Sequence, residues 1–551
     1  MLQRDVLRQR RLHRGVQRGG VDHRRRQAQG TDQHDGAHRL RPGRLHRPDL
    51  LAGHRGLLHQ GRRRDRLDHR CQPQQRRLQE HVAGLLNLTG NLSDHDDVDV
   101  VVVGGGAAGL AAASTLGDLN VVVLESEDRL GGRLHSLPRG ERWINLGAHL
   151  LTGGDSAVKR LVAQAGLDVL PVPGTKTALW FDGRLHDRRR VEAYPFVLPL
   201  TLRERLDLIR VGTRLRVGVE RWRRTNQLRG YRSRRTFGRT LRGTSPRVAS
   251  IFETAARRSA GEADRLTEGS ALALFGALWV SKGSASVVNV AGGSGSLGEA
   301  MQRCLGDRAV TGATVTEVVE RADRVEVTYR DRAGDVRRLR ARHVVVAVPA
   351  ASVSGIVAGL PDDVRRQLDG VEYGGFVCLG ILTTALQAMA WDDIYAIATP
   401  GAEFDMLFHH SNPVVAHAGR STSPRSLMCY AGGDKAAALL ELDDDEIRRR
   451  FLRQVAEVLP EVEDAVAEAV VVKWRLGNWY PTCGSSVAAV ERWNHRPGAR
   501  VVLAGDYFAP LGGTVETAVR SGLESAEMLR NSAEEPVSSG DLPGSRERTH
   551  I

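Results

Sequence analysis

The first 90 residues contain no Lys, Ile, Phe, Tyr or Trp, and no Met after the first. A segment without those side chains cannot bury enough apolar surface to offset the entropy of ordering it. It is made instead of Arg, His, Gln and Gly, in runs such as VDHRRRQAQG and GRRRDRLDHR. One reading is a disordered basic arm that contacts nucleic acid. The other, which the composition favours, is upstream GC-rich sequence translated outside the frame selected for folding, because the missing residue types mostly have AT-rich codons. No apolar stretch follows the basic residues, so the segment does not read as a secretory signal, and a cytoplasmic setting is expected.

Charge is also scarce where the net figure implies abundance. The chain carries +14, but residues 1–90 hold 21 arginines against 8 acids, a net of +13. The remainder has 58 basic and 57 acidic residues. The high pI is therefore no argument for a nucleic-acid partner of the whole chain. Cysteines are few and scattered, at Cys71, Cys304, Cys378, Cys429 and Cys483. No CxxC pair occurs among them, so neither a zinc site nor a disulfide framework is indicated, and no metal is expected.

The length fits two or more domains. Selected sequence begins near VDVVVVGGGAAGL, Val98 to Leu110. Val98–Val103 is a short β-branched run that predicts a strand buried on both faces. Gly104, Gly106 and Gly109 follow as G-x-G-x-x-G, then a helix over Leu110–Leu116, then the strand NVVVLE ending at Glu125. Glu125 lies 21 residues after Gly104, near the ~20 of a ribose-binding carboxylate in a dinucleotide fold. Gly104 permits the tight turn, Gly106 lets the backbone approach a pyrophosphate, and Gly109 lets helix and strand pack. Ala107 and Ala108 place backbone N–H groups at the helix start, where its dipole favours phosphate. Glycines interrupt the apolar run, which excludes a membrane span. The glycines alone leave NAD and FAD both open.

Downstream, Glu125 to Arg133 reads E-x-x-x-R-x-G-G-R, with Arg129, Gly131, Gly132 and Arg133. Here the chain resembles the flavin amine oxidase superfamily, which includes monoamine and polyamine oxidases, protoporphyrinogen oxidases and carotenoid desaturases. Three further segments extend the resemblance over about residues 97–533. WINLGAHLLTGG (Trp143–Gly154) has Asn145 where an acid is common. TVTEVVERADRVEVTYRD followed by HVVVAVP is similar to the family's adenine-side hairpin and returning strand, with Val315 as a backbone contact. RVVLAGDYFAPLGGTVETAVRSGLESAEML (Arg500–Leu529) is similar to its C-terminal flavin motif. There Gly505 and Asp506 would meet the ribityl and pyrophosphate region, and a helix starting at Thr514 and Val515 would face the flavin N1–C2=O edge.

The resemblance implies an α/β, Rossmann-type FAD-binding domain (glutathione-reductase-like) with an interleaved α+β substrate domain. The FAD-binding segments are expected at 97–180, 288–350 and 470–533, the substrate domain at 181–287 and 351–469, a basic extension at 1–96 and a loose tail at 534–551. Gly292–Met301 (GGSGSLGEAM) resembles the family's return into the FAD domain. Helical periodicity runs over Leu202–Arg224 and Asp444–Leu459. Residues 203–258 hold 17 Arg and 4 acids. This fits an anionic ligand or a peripheral membrane contact, or simply solvated helix faces.

The implied chemistry is hydride transfer from a C–N or C–C bond to flavin N5, with oxygen or another acceptor reoxidising the flavin. The family's catalytic details are not all present. Oxidases of this group place a lysine near N5. The corresponding stretch YGGFVCLGILTTA (Tyr373–Ala385) has none, and Cys378 or Leu379 stands there. An aromatic cage would need a Tyr where Thr514 stands, leaving Tyr480 as a single aromatic candidate. Cys483 lies where some members attach flavin covalently, but an ordinary buried thiol and a non-covalent flavin are expected. Without lysine or cage, a porphyrinogen-oxidising or desaturase-like activity on a larger apolar or carboxylated molecule is the alternative. A nucleic-acid-binding role of the arginine arm, or an NAD-dependent dehydrogenase, are readings of a different class.

Overall fold

A computed structural model of the chain describes residues 97–173, 176–225, 233–276, 287–414 and 422–534. The arginine-rich segment 1–96, its two readings, and all but the first residue of the expected tail lie outside the described residues.

The valine run does form a strand, Asp97–Val103. Val100 and Val102 join one core, with Leu110, Leu116 and Val519. Val101 and Val103 join another, with Val344, Val353 and Leu368. Alternate side chains thus enter two different cores, which is why the sequence shows no polar alternation. The strand pairs in parallel with Val121–Glu125 on one side and with Val336–Val346 on the other. Val121–Glu125 pairs in parallel with Ala309–Thr311. Val336–Val346 takes the hairpin Thr314–Glu320/Val325–Arg330 on its first half and the parallel strand Val501–Leu503 on its second. This seven-stranded sheet, with helices packed in both cores, is the expected α/β Rossmann-type arrangement.

The helix Ala107–Thr115 presents Ala111, Ala112 and Ala113 inward. Its small face admits the helix Val515–Glu534, and a Cβ at Gly522 would lie 2.0 Å from the Ala108 carbonyl oxygen. The first and last motifs of the sequence are packed together by that contact.

A second seven-stranded sheet runs Val466–Trp479, Tyr373–Leu386, Ser423–Gly432, Met406–His409, Ala396–Ala398, Thr177–Phe181, Arg184–Arg188. It is antiparallel except where Ala396–Ala398 meets Thr177–Phe181. Thr177–Phe181 and most of Val466–Trp479 therefore pair on this second sheet, although the segment limits 180 and 470 set them on the nucleotide side. The helices Leu202–Thr225 and Asp444–Val458 form where the periodicity places them. The second begins with Asp443, whose carboxylate accepts from the Glu446 N–H at 2.7 Å and caps the helix. Among the described residues, no helix is long and apolar enough to cross a membrane.

Candidate functional site

The glycine turn is closed by sterics that only glycine satisfies. Gly104 has φ +97°, and a Cβ at Gly109 would stand 1.9 Å from the Gly104 carbonyl oxygen. Gly106 differs: a Cβ there would meet no protein atom within 4 Å, and the helix it caps has no side-chain acceptor at its N-terminus. Its glycine character and the uncapped N–H groups are explained by a non-protein anionic group approaching the backbone, so the turn fits a pyrophosphate. Ala107 and Ala108 are the first residues of that helix.

Glu125 is buried at 7 % exposure. Its Oε2 accepts from the Gly105 N–H at 2.7 Å and its Oε1 from the Glu127 N–H at 3.0 Å. The carboxylate is thereby fixed beside the glycine turn with acceptor capacity left for ribose hydroxyls. Gly105 is the partner of this carboxylate, a contact that the G-x-G-x-x-G pattern hides because Gly105 occupies an x position. The hairpin base sits against the same strand end, with the Ala313 N–H donating to the Glu125 carbonyl at 2.8 Å. Val315 follows at a bulge in the hairpin.

The Gly-Gly-Arg turn lies directly on the first turn. Gly131 donates to the Gly105 carbonyl at 2.8 Å, and a Cβ at Gly132 would be 3.2 Å from the Gly106 Cα. Gly131 and Gly132 have φ of +112° and +54°. Arg129 braces this turn: its guanidinium donates to the Gly132 carbonyl at 2.9 Å and the Leu134 carbonyl at 3.3 Å. Arg133 instead reaches across the molecule. It pairs with Asp506 at 3.0 Å and donates to the Gly477 carbonyl at 3.1 Å. The two motifs that sequence places at opposite ends of the fold meet in this one ion pair. The return segment closes the other side, where Gly295 donates to Ser136 Oγ at 3.0 Å and Ser294 donates to Asn145 Oδ1 at 3.3 Å. That bond accounts for the amide at position 145.

Gly505 donates to Ser521 Oγ at 3.1 Å, and the Asp506 carbonyl accepts from Trp479 Nε1 at 2.7 Å. Thr514 caps the helix Val515–Glu534 reciprocally with Thr517, its Oγ1 accepting from the Thr517 N–H at 3.1 Å. Glu516 on the first turn of that helix accepts from the Ala157 and Val158 N–H groups at 3.1 and 3.0 Å.

The substrate-side candidates do not converge as expected. Cys378 is buried among Tyr395, Met406, Phe408, Met428 and Tyr430, and burial pushes its thiol well above the ordinary range. Tyr480 packs in a different cluster with Phe237 and Leu266, its ring against Gly261. Its hydroxyl donates to Glu372 at 3.4 Å, and burial pushes it up to about 12. Thr514 is exposed. Cys483, expected to be a buried thiol, is exposed; it follows the strand Val466–Trp479 in a turn that gives it no core to enter. Among the described residues no group of three His, Cys, Asp or Glu is placed to hold a metal.

Around Cys378 the structure assembles an aromatic wall that motif reading missed. Phe376 and Tyr430 meet edge-on at 5.1 Å, and Tyr430 stacks on Phe408 at 5.7 Å. His149 meets Phe408 at 4.6 Å and His410 at 4.5 Å. Burial lowers the His149 imidazole to about 4, against a Gly147 hydrogen bond that opposes the shift, so it is neutral near pH 7. Gly147 joins this wall to the Gly-Gly-Arg turn, since a Cβ there would be 2.1 Å from the Arg133 carbonyl oxygen. His149 stands inside a quoted motif and Phe376 inside the quoted stretch Tyr373–Ala385; Phe408 and Tyr430 come from strands without a motif, and His410 from the residue after one.

A dinucleotide-binding α/β sheet whose two glycine turns meet a C-terminal Gly-Asp motif defines a flavoprotein oxidoreductase scaffold. The sequence pattern of the flavin-containing amine oxidoreductases matches residues 107–529, and the chain belongs to that family. It is thus an FAD-dependent oxidoreductase. It is 23 % identical over 473 residues to an L-amino-acid oxidase of Demansia vestigiata, covering 79 % of this chain and 87 % of that one. It is 39 % identical over 101 residues to the human flavin-containing amine oxidase B, a match spanning 18 % of each chain. Among solved structures, the cyclohexylamine oxidase of Brevibacterium oxydans IH-35A superimposes with a TM-score of 0.65 at 18 % identity, over 80 % of this chain and all of that one. A putrescine oxidase bound to putrescine superimposes with a TM-score of 0.61 at 18 % identity, over 79 % of this chain and all of that one. These two likenesses concern the fold.

Proposed function

We propose that this chain holds FAD non-covalently and oxidises the C–N bond of an organic amine. The observation that carries the reading is the Arg133–Asp506 ion pair at 3.0 Å, which unites the N-terminal and C-terminal flavin motifs. Gly104, Gly106, Ala107, Ala108 and Gly109 would hold the pyrophosphate through backbone N–H groups. Glu125 would accept from the adenosine ribose, and the Val315 backbone would meet the adenine. Gly131 and Gly132 would let the chain approach the ribityl region, with Arg129 bracing their turn. Gly505, Asp506, Thr514 and Val515 would complete the flavin end, where a helix N-terminus favours negative charge. Bound FAD supplies the two-electron acceptor for the C–N oxidation, and dioxygen or another acceptor takes the electrons onward.

The chain's own part is to position the amine and exclude water. The wall of Phe376, Tyr395, Phe408 and Tyr430 would bind an apolar substrate body. Neutral His149 has Nδ1 engaged by the Gly147 carbonyl at 3.1 Å, and its Nε2 has no partner among the described residues. That acceptor suits an amine N–H. Cys378, held as an uncharged thiol, would only shape the wall. A non-covalent flavin would leave Cys483, a free and exposed thiol, without a cofactor role.

Three finer readings accompany this one. The segments 97–180, 288–350 and 470–533 would form the FAD side and 181–287 and 351–469 the substrate side, with strands at two limits shared as described. The helix Leu202–Thr225 would touch an anionic membrane surface: Phe196, Leu202 and Leu206 are 67, 80 and 66 % exposed beside its arginines. Four described cysteines are unpaired, which suits a reducing, cytoplasmic setting. Acid denaturation of the purified yellow protein tests the cofactor assignment: free FAD in the supernatant supports it, and flavin that stays with the precipitate contradicts non-covalent binding.

A further inference from the structure

The segment Trp143–Gly154 is laid across one face of the second sheet. A Cβ at Gly380 would be 2.3 Å from Ile144 Cγ2 and 2.8 Å from Leu146 Cδ2, so a glycine there admits the segment. Ser426 Oγ fixes it by donating to the Trp143 carbonyl at 2.5 Å. The same segment is tied to the Gly-Gly-Arg turn, because the Ala148 N–H donates to the Arg133 carbonyl at 2.9 Å. His149 comes next in the chain, so its place is set from both sides.

His410 reaches the same spot from the sheet itself. It is the first residue after the strand Met406–His409, and its backbone N–H donates to the Ser426 carbonyl at 2.8 Å. Two residues after Phe408, it falls on the same face. The two rings lie parallel within 5° at 6.2 Å. His149 and His410 meet at 4.5 Å between ring centroids, with their planes inclined by 69°. His149 is 6 % exposed and His410 not at all.

Their polar atoms are what the fold leaves open. His149 Nδ1 faces the Gly147 carbonyl at 3.1 Å; a carbonyl only accepts, so Nδ1 carries the proton and Nε2 the lone pair. That Nε2 has no partner among the described residues, and neither has either nitrogen of His410. Burial holds both rings uncharged near neutral pH, so His410 also presents one lone pair. The Tyr395 hydroxyl, 6.2 Å away between rings, is already engaged with the Asn289 amide at 3.0 and 3.1 Å. A buried polar group left unpaired costs about 1–3 kcal/mol, and native interiors pair almost all of them. Two adjacent imidazole lone pairs in an aromatic wall therefore point to a ligand with two N–H donors.

We infer that His149 and His410 act together as positioning residues that hold the amine by two of its N–H bonds, one to each imidazole, and so favour a primary amino group over its N-alkylated forms. This rests on the proposal that the same site oxidises amines. Both rings serve as acceptors, so neither occupies the lone pair of the amine nitrogen. When the Cα hydrogen leaves with its electron pair for the flavin, that lone pair closes the C=N bond, and the amine departs as an iminium.

The test uses the FAD-loaded enzyme with benzylamine, N-methylbenzylamine and N,N-dimethylbenzylamine, which share one body and carry two, one and no N–H as free bases. Binding is measured by calorimetry on enzyme whose flavin has first been reduced, where no turnover occurs. Flavin bleaching is followed separately and without oxygen on the oxidised enzyme. In the wild type each N-methyl group is expected to weaken binding by at least about 10-fold, since a site built for N–H donors rejects analogues that lack them. His410→Phe keeps a ring beside Phe408 and removes both nitrogens. It should weaken benzylamine by about 10-fold or more and leave N,N-dimethylbenzylamine within about 3-fold, while His410→Gln, which restores an acceptor, recovers part of the preference. Equal binding of the three amines to the wild type overturns the pair. So does a preference that survives His410→Phe, which would mean that the methyl groups are excluded by size alone. The two proposals fail separately. Bleaching by all three amines with no His410-dependent preference sinks the pair and leaves amine oxidation standing. A His410-dependent binding preference with no amine able to bleach the flavin supports the pair and sinks amine oxidation.

Discussion

At the scale of the residue, single contacts carry more than the motif letters convey. Asp506 is 4 % exposed and takes its charge partner from the other end of the chain. Asp506→Ala leaves Arg133 without that partner, and removing one member of such a pair costs about 3–5 kcal/mol where both are buried and less here, because Arg133 is 31 % exposed. The expected outcome is a lowered melting temperature together with at least a 10-fold weaker retention of FAD, on the scale of the lost charged hydrogen bonds. Wild-type flavin content in the purified variant would show that the ion pair is not what joins the two motifs.

His149 makes a pH prediction. The unfolded imidazole titrates near 6.5, while burial holds the folded one at about 4. The unfolded chain therefore binds the proton first as pH falls. The His149 contribution is intact above about pH 6.5 and declines through about pH 4, by roughly 3 kcal/mol at that point. Denaturant titrations across this window should show a shallower acid slope in His149→Gln than in the wild type. His135 and His409, lowered by burial to about 4 and about 3, add to the same acid sensitivity. A slope unchanged by His149→Gln would mean the imidazole is already protonated in the fold.

Elements were legible to the extent that their signals were local. The strand Asp97–Val103, the hairpin, and the helices Leu202–Thr225 and Asp444–Val458 announce themselves by period or by turn chemistry. What packs them was not legible. Gly522 sits in a plain helical stretch, and nothing local marks it as the point where two helices touch. Gly522→Ala sets a methyl 2.0 Å from a backbone oxygen. Overpacking of this kind costs about 1–3 kcal/mol or more, and the expected result is a clear drop in melting temperature with flavin still bound. A wild-type melting temperature would show that the helices can part at no cost.

The helix Leu202–Thr225 makes a second prediction at this scale. The periodicity found the helix but not which apolar side chains stay outside. If its exposed leucines meet a membrane, the protein should sediment with anionic vesicles at low salt, and Leu202→Ser/Leu206→Ser should abolish this without altering flavin content. Equal sedimentation of variant and wild type would reduce the arginines to solvated charge.

For the molecule as a whole, the nucleotide half could be read from sequence because backbone chemistry writes it: glycines where a Cβ cannot stand, an acid at a fixed distance, a second glycine turn. The substrate half could not. Phe376, Tyr395, Phe408 and Tyr430 come from four separate segments, each with an ordinary local pattern, and the fold of the second sheet brings them together. The missing lysine near Cys378 was visible as an absence, but the aromatic cluster around that residue and the neutral His149 beside it were not. Even the basic stretch 203–258 misled by its uniformity, since Arg257 is paired into the fold by Glu262 and Asp405.

The most direct test of the central claim is an anaerobic titration of the purified, FAD-loaded protein with matched substrates, following the visible flavin absorbance. Phenylalanine and phenethylamine should be run beside a porphyrinogen and a polyene. The account predicts bleaching by at least one of the two amines. Bleaching by the porphyrinogen or the polyene alone, with every amine inert, would contradict it.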